Sequence, residues 1–212
     1  MSDTTAHQFD TENTTLKIKY DSDSQNPREW DNLTKMICFH KRYNLGDKHD
    51  YNFDYYSSFD EMKKEIIENE GVAIIEPLYM YDHSGQTIST KPFSCPWDSG
   101  QIGFVFITKK DLLEEFGGKR ITKKIIERGE RVLRGEVETY DQFIRGDVYG
   151  FEIEYKTTDS VSGEIKDDVS DSCWGFYGDN IWKNGMYEHI NSDAIEDLRE
   201  LLEAEFGKQP QN

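Results

Sequence analysis

Three groups of residues in this chain have types and spacings that could do chemistry. Asp171-Ser172-Cys173-Trp174-Gly175-Phe176 sets a cysteine in the kind of segment where a thiolate attacks a carbonyl, provided a histidine takes its proton. Where that local sequence is catalytic, the histidine lies roughly 130 residues or more downstream. Here only 39 residues follow Cys173, and His189 is the one histidine among them. Glu154-Tyr155-Lys156, with Asp147 upstream, resembles the acid-plus-E-x-K arrangement of restriction-type nucleases, in which two carboxylates hold a divalent metal while a lysine polarises water, although the upstream acid lies very close. That chemistry also needs a basic groove for its phosphodiester, and the strand carrying the motif turns its acids to solvent. Cys38-x-His40, Cys95 and Cys173 would supply four zinc ligands, yet structural zinc sites draw ligands in close pairs and only one pair here is close. The thiols therefore read as structural, and neither a metal nor a cofactor is expected.

Tyr81-Asp82-His83-Ser84-Gly85 and Cys95-Pro96-Trp97-Asp98 can be read as the walls of a pocket in which His83 and Cys95 meet. With His40, Trp97 and Cys173 this gives an alternative reading, a small-ligand-binding protein or hydrolase with a His/Cys-lined pocket. Against it, Trp30, Trp97 and Trp174 would each fill a core, beside Gly and Pro residues that shape turns.

Charge points elsewhere. From Asp147 to the C-terminus there are 16 Asp and Glu against 5 Lys and Arg, so 11 of the 17 net negative charges lie in the last third. Such a region repels nucleic acid and anionic membranes but attracts a protein surface built to hold phosphates. The residues expected to meet that partner are Glu152, Glu154, Asp167, Asp168 and Asp171 from a C-terminal hairpin, and Asp193, Glu196, Asp197, Glu200 and Glu203 from a C-terminal helix.

The elements that must position these residues follow from periodicity. Leu16, Ile18 and Tyr20 alternate with lysines as a short strand, and residues 71–81 and 101–108 are apolar enough for inner strands. Thr108 with Asp111 caps a short helix that Gly117 and Gly118 end, and residues 139–144 form a helical turn. Lys119 to Arg134 reads as a basic amphipathic helix weakened by Gly129, its charges a solvated face with local pairs such as Glu127 with Arg131. Tyr149, Phe151, Ile153 and Tyr155 alternate with Glu152 and Glu154, and residues 157–163 turn the chain into a second strand ending near Tyr177. Asp193, with Glu196 three residues on, opens the last helix; Ile195, Leu198, Leu201, Leu202 and Phe206 pack inward.

Length and composition fit one folded domain, since 12 Tyr, 12 Phe and 4 Trp offset an apolar content of only 35%. Residues 1–13 read as a flexible segment, 14–206 as a single α+β domain and 207–212 as a flexible tail. Three cysteines and no apolar leader or spanning stretch place the protein in a reducing cytoplasm.

Pro27-Arg28-Glu29-Trp30-Asp31-Asn32-Leu33, Cys38-Phe39-His40-Lys41-Arg42-Tyr43-Asn44-Leu45-Gly46-Asp47, Ser94-Cys95-Pro96-Trp97-Asp98-Ser99-Gly100 and Arg134-Gly135-Glu136-Val137-Glu138-Thr139-Tyr140 together resemble an uncharacterised family encoded by tailed bacteriophages and mobile elements. The resemblance covers about residues 27–178 and implies a setting, the cytoplasm of an infected prokaryotic host, without a mechanism. The combined expectation is an α+β protein, a mainly antiparallel sheet flanked by helices with an acidic C-terminal hairpin and helix. Its expected role is inhibition of a host nucleic-acid-handling defence system, a CRISPR effector or restriction enzyme, by occupying its nucleic-acid-binding surface. It would bind a host protein or nucleoprotein complex rather than nucleic acid or membrane. Nothing in the sequence sets the oligomeric state.

Overall fold

A computed structural model of the chain describes residues 4–158 and 165–210; its side-chain description leaves out 156–158 and 165–170. In chain order the elements are β1 (Thr5–Asp10), β2 (Thr14–Tyr20), β3 (Lys35–Cys38), α1 (Phe59–Glu70), β4 (Val72–Asp82), β5 (Gln86–Ser89), β6 (Ser99–Thr108), α2 (Lys109–Phe116), α3 (Lys123–Arg145), β7 (Val148–Thr158), β8 (Ile165–Tyr177) and α4 (Ser192–Phe206). The fold is α+β, with two four-stranded sheets whose strand pairs are all antiparallel. Where the sequence reads as one domain over 14–206, the chain forms two compact units. One combines Met1–Gln25 with Gly146–Asn212, and the other is Asn26–Arg145. The stretch read as a flexible N-terminus supplies β1, the outer strand beside β2.

In the unit formed by both ends of the chain the strand order is β1-β2-β7-β8. The alternation read in β7 holds: Tyr149, Phe151 and Ile153 join Leu16 and Ile18 in a core closed by Ala194, Ile195, Leu198 and Leu202 of α4. Successive strand residues point to opposite faces, so Lys17, Lys19, Glu152 and Glu154 lie on the face away from α4. Asn191 caps α4 by accepting from the Asp193 N–H at 2.8 Å, a role the sequence reading gave to Asp193 itself. At its other end, Asn180 Nδ2 donates to Phe206 O at 2.8 Å and Trp182 Nε1 to Gly207 O at 2.9 Å, which satisfies carbonyls that a helix end leaves open.

The central unit orders its strands β3-β6-β4-β5, so the two apolar runs read as inner strands are inner. Helices cover both sheet faces. Met62 and Ile66 of α1 pack with Ile37, Phe104 and Phe106, while Leu112 of α2 and Leu133, Val137 and Tyr140 of α3 pack with Leu78, Val105 and Ile107. Burial on both faces explains why β6 is continuously apolar from Ile102 to Ile107. Thr108 caps α2 as expected, accepting from the Asp111 N–H at 3.1 Å. The basic helix is longer than the sequence suggests, absorbing residues 139–144 into one 23-residue element. Its Gly129 is a packing residue rather than a weak point: a Cβ there would come within 2.6 Å of Leu112 Cδ1 and 2.7 Å of Ile74 Cδ1. Its local pairs are Lys123 with Glu127, Arg134 with Glu130 and Arg145 with Asp141, not Glu127 with Arg131.

The expectation that Trp30, Trp97 and Trp174 fill cores is overturned. Trp97 is 92% exposed and the other two 43%; the tryptophan that fills a core is Trp182. Trp174 instead lies flat on the backbone of Gly150, where an added Cβ would sit 2.2 Å from its ring.

Candidate functional site

The acidic residues divide between two faces of one sheet. Lys17 Nζ reaches Glu154 at 2.7 Å, and Lys19 pairs with Glu152. The Glu154 hydrogen bond raises the Lys17 pKa above its ordinary value. These two glutamates are thus paired with lysines of β2 and stand apart from α4. Of the Glu154-Tyr155-Lys156 motif, Glu154 is held by Lys17 of the neighbouring strand, and the Lys156 side chain lies outside the described ones. Asp167 and Asp168 oppose Lys156 and Tyr155 in the β7–β8 register, and their side chains lie outside the described ones.

Asp171 belongs with the helix. In the β7–β8 register it stands opposite Ile153, on the sheet face that α4 covers, and burial raises the Tyr155 pKa, with the charges of Asp171 and Asp193 raising it further. Asp193, Glu196, Asp197 and Glu200 are exposed along α4, with Glu203 half-buried. Arg199 is the only base of the helix against six acids, and it meets Glu196 at 2.8 Å and Glu203 at 3.8 Å. The Thr11 hydroxyl donates to Asp197. From Asp193 to Glu203 the stripe runs about 15 Å along the helix axis, comparable to about four phosphates of one DNA strand.

The His/Cys pocket forms only in part. His83 Nδ1 and Cys95 Sγ both approach Asp98 Oδ2, at 3.7 and 3.4 Å, so they meet through a carboxylate rather than directly. A thiol is activated by an imidazole that takes its proton, and here the carboxylate occupies that place. His40 stacks on Tyr43, with ring centroids 4.8 Å apart, and lines with Trp97 a hollow of about 530 Å³ that includes Arg42, Asp82 and Asp98. Cys173 belongs to the terminal unit, half-buried opposite Phe151 and packed against its core. Burial, reinforced by the Asp47 charge, pushes the Cys38 thiol up to about 12, which makes it a poor nucleophile. Among the described residues no three His, Cys, Asp or Glu side chains gather as a metal site requires.

Sequence reasoning missed a larger feature of the central unit, a groove of about 800 Å³. Its floor is a buried ionic network. Arg28, with a side chain only 3% exposed, donates through Nε and Nη2 to the two oxygens of Asp47 at 2.9 and 2.7 Å, and through Nη2 to Thr34 O at 2.7 Å. Glu136 of α3 accepts from the Leu33 N–H at 2.8 Å, the Thr34 N–H at 3.1 Å and the Thr34 hydroxyl, and lies 3.4 Å from Arg28 Nη1. Asp47 also closes the free edge of β3: its N–H donates to Met36 O and its Oδ2 accepts from the Met36 N–H, both at 2.8 Å. His49 donates through Nε2 to Cys38 O at 3.1 Å, leaving a buried Nδ1 without a partner among the described residues. The walls hold Trp30, Tyr51, Tyr55 and Tyr56. The one local sign in the sequence is the density of aromatics over residues 51–56.

Comparison of the chain with protein-family models, with curated proteins and with solved structures finds no match. Among the described residues no helix is long and apolar enough to cross a membrane.

Proposed function

We propose that this is an acidic interaction protein of phage type that inhibits a host defence system by occupying a surface made for nucleic acid. The target class is a CRISPR effector or restriction enzyme in the host cytoplasm. The observation that carries the reading is α4: one side anchored in a core, both ends held by side-chain hydrogen bonds, and an outward stripe of carboxylates with a single arginine among them. A charged array on a fixed helix loses little backbone freedom on docking, and electrostatic complementarity speeds encounter with a basic groove. Asp171, on the sheet face that α4 covers, adds to the stripe, whereas Glu152 and Glu154, already paired with lysines, contribute little.

The test is charge reversal on the helix. Asp193→Lys, Glu196→Lys and Glu200→Lys together leave every core residue of α4 in place. The triple variant should keep the far-ultraviolet circular dichroism of the parent and lose inhibition by two orders of magnitude or more, with steep salt dependence in the parent. Undiminished inhibition by a folded triple variant contradicts the reading.

A further inference from the structure

We propose that the groove of the central unit is a binding site for arginine side chains carried on an extended, basic segment of a partner protein. The rim supplies the first argument. Tyr55 is 82% and Trp30 43% exposed, and large aromatic surfaces held at the mouth of a concavity are what an interface anchors on.

Charge selects among ligands. The lining has three cationic residues against five anionic, a net of −2. Arg28 is buried and bound to Asp47, and Lys35 reaches Glu70 at 3.5 Å, so Lys48 stands against Asp31, Asp50 and Glu65. Tyr51 and Tyr56 donate their hydroxyls to Glu70 and Glu65, each at 3.0 Å, which orients those carboxylates and leaves them lone pairs for further donors. Phosphates and nucleotides are repelled by this wall. A neutral sugar gains nothing from its field. An ammonium group satisfies the carboxylates but offers no plane to the aromatics. A guanidinium does both, stacking on Trp or Tyr while its fork of donors meets a carboxylate. A volume of about 800 Å³ accommodates several peptide residues.

The site is independent of the reading of α4, and its test separates the two. Capped hexaarginine, hexalysine and hexacitrulline are titrated calorimetrically into the full chain at physiological salt. Hexaarginine should bind with micromolar affinity, hexalysine about fivefold or more weakly, and hexacitrulline not at all. Tyr55→Ala and Trp30→Ala, both at exposed positions, should each weaken hexaarginine about 3- to 30-fold, while Glu200→Lys on α4 leaves it within about twofold. The proposal is overturned if hexaarginine does not bind, or if both cationic peptides bind equally and neither aromatic substitution matters. Loss of binding in Glu200→Lys alone would place the peptide on α4 and overturn it as well.

Discussion

Arg28→Met tests the buried network that shapes the groove floor. The substitution preserves much of the side-chain volume but removes the donors that reach Asp47 twice, Thr34 O and Glu136. Both carboxylates keep backbone partners, the Met36 N–H for Asp47 and the Leu33 and Thr34 N–H groups for Glu136, so they remain in place as like charges without their cation. Removing one partner of a buried ion pair costs about 3–5 kcal/mol. Against a total stability of about 5–15 kcal/mol, that is a third or more for many domains. Urea denaturation followed by near-ultraviolet circular dichroism should therefore show a midpoint shift with little change in slope. Adding Glu136→Gln should cost less in the Arg28→Met background than alone, by about 1 kcal/mol or more, because the two side chains share one network. A single-variant cost below about 1 kcal/mol, or strict additivity, would refute the account of this network as a coupled support.

Three further outcomes are expected. Gly129→Ala gains about 1 kcal/mol of helix propensity but drives a methyl into Leu112 and Ile74, so thermal unfolding should show net destabilisation of about 1–2 kcal/mol; a stabilised variant would mean the contact relaxes freely. Cys38 ionises near 12 in the fold against 9.0 ordinarily, so the unfolded chain releases its proton first and stability should fall as pH rises above about 9, less steeply in Cys38→Ala. Urea midpoints at pH 8 and 10.5 measure this, and native Cys38 should resist a thiol reagent at neutral pH. With a net charge of −17 the purified protein should bind no random duplex at physiological salt, and a sub-micromolar affinity in a gel-shift titration would contradict the charge argument.

Elements with strong local signals were legible in the sequence: the alternation of β7, the unbroken apolar run of β6, the Thr108 cap and the inward stripe of α4, except Leu201, which was read as packing inward and is 42% exposed. Others carried a signal too thin to read. β1 buries Phe9 alone among polar residues, and α1 buries only Met62 and Ile66 in twelve positions, although Ser58 with Glu61 three residues on is a capping pair that marks its start. The stripe on α4 was legible because helical spacing alone sets it. Its separation from Glu152 and Glu154 was not, because it depends on which sheet face the helix covers and on lysines 133 and 137 residues away in sequence. The groove was hidden for a similar reason. Arg28, Asp47 and Glu136 have no common period, and they meet only where α3 reaches the segments that flank β3. Exposed tryptophans were misread because size and apolarity describe an interface anchor as well as a core residue.

The central claim is that α4 takes the place of a nucleic acid on a partner, and mutual exclusion tests it most directly. The tagged protein is used to isolate its partner from the host, and the partner's labelled DNA or RNA is then titrated against the complex at fixed ionic strength. The account predicts competition, with nucleic acid and protein each displacing the other and the Asp193→Lys, Glu196→Lys, Glu200→Lys variant unable to displace. A ternary complex that holds both at once, or displacement that survives the triple substitution, would contradict it.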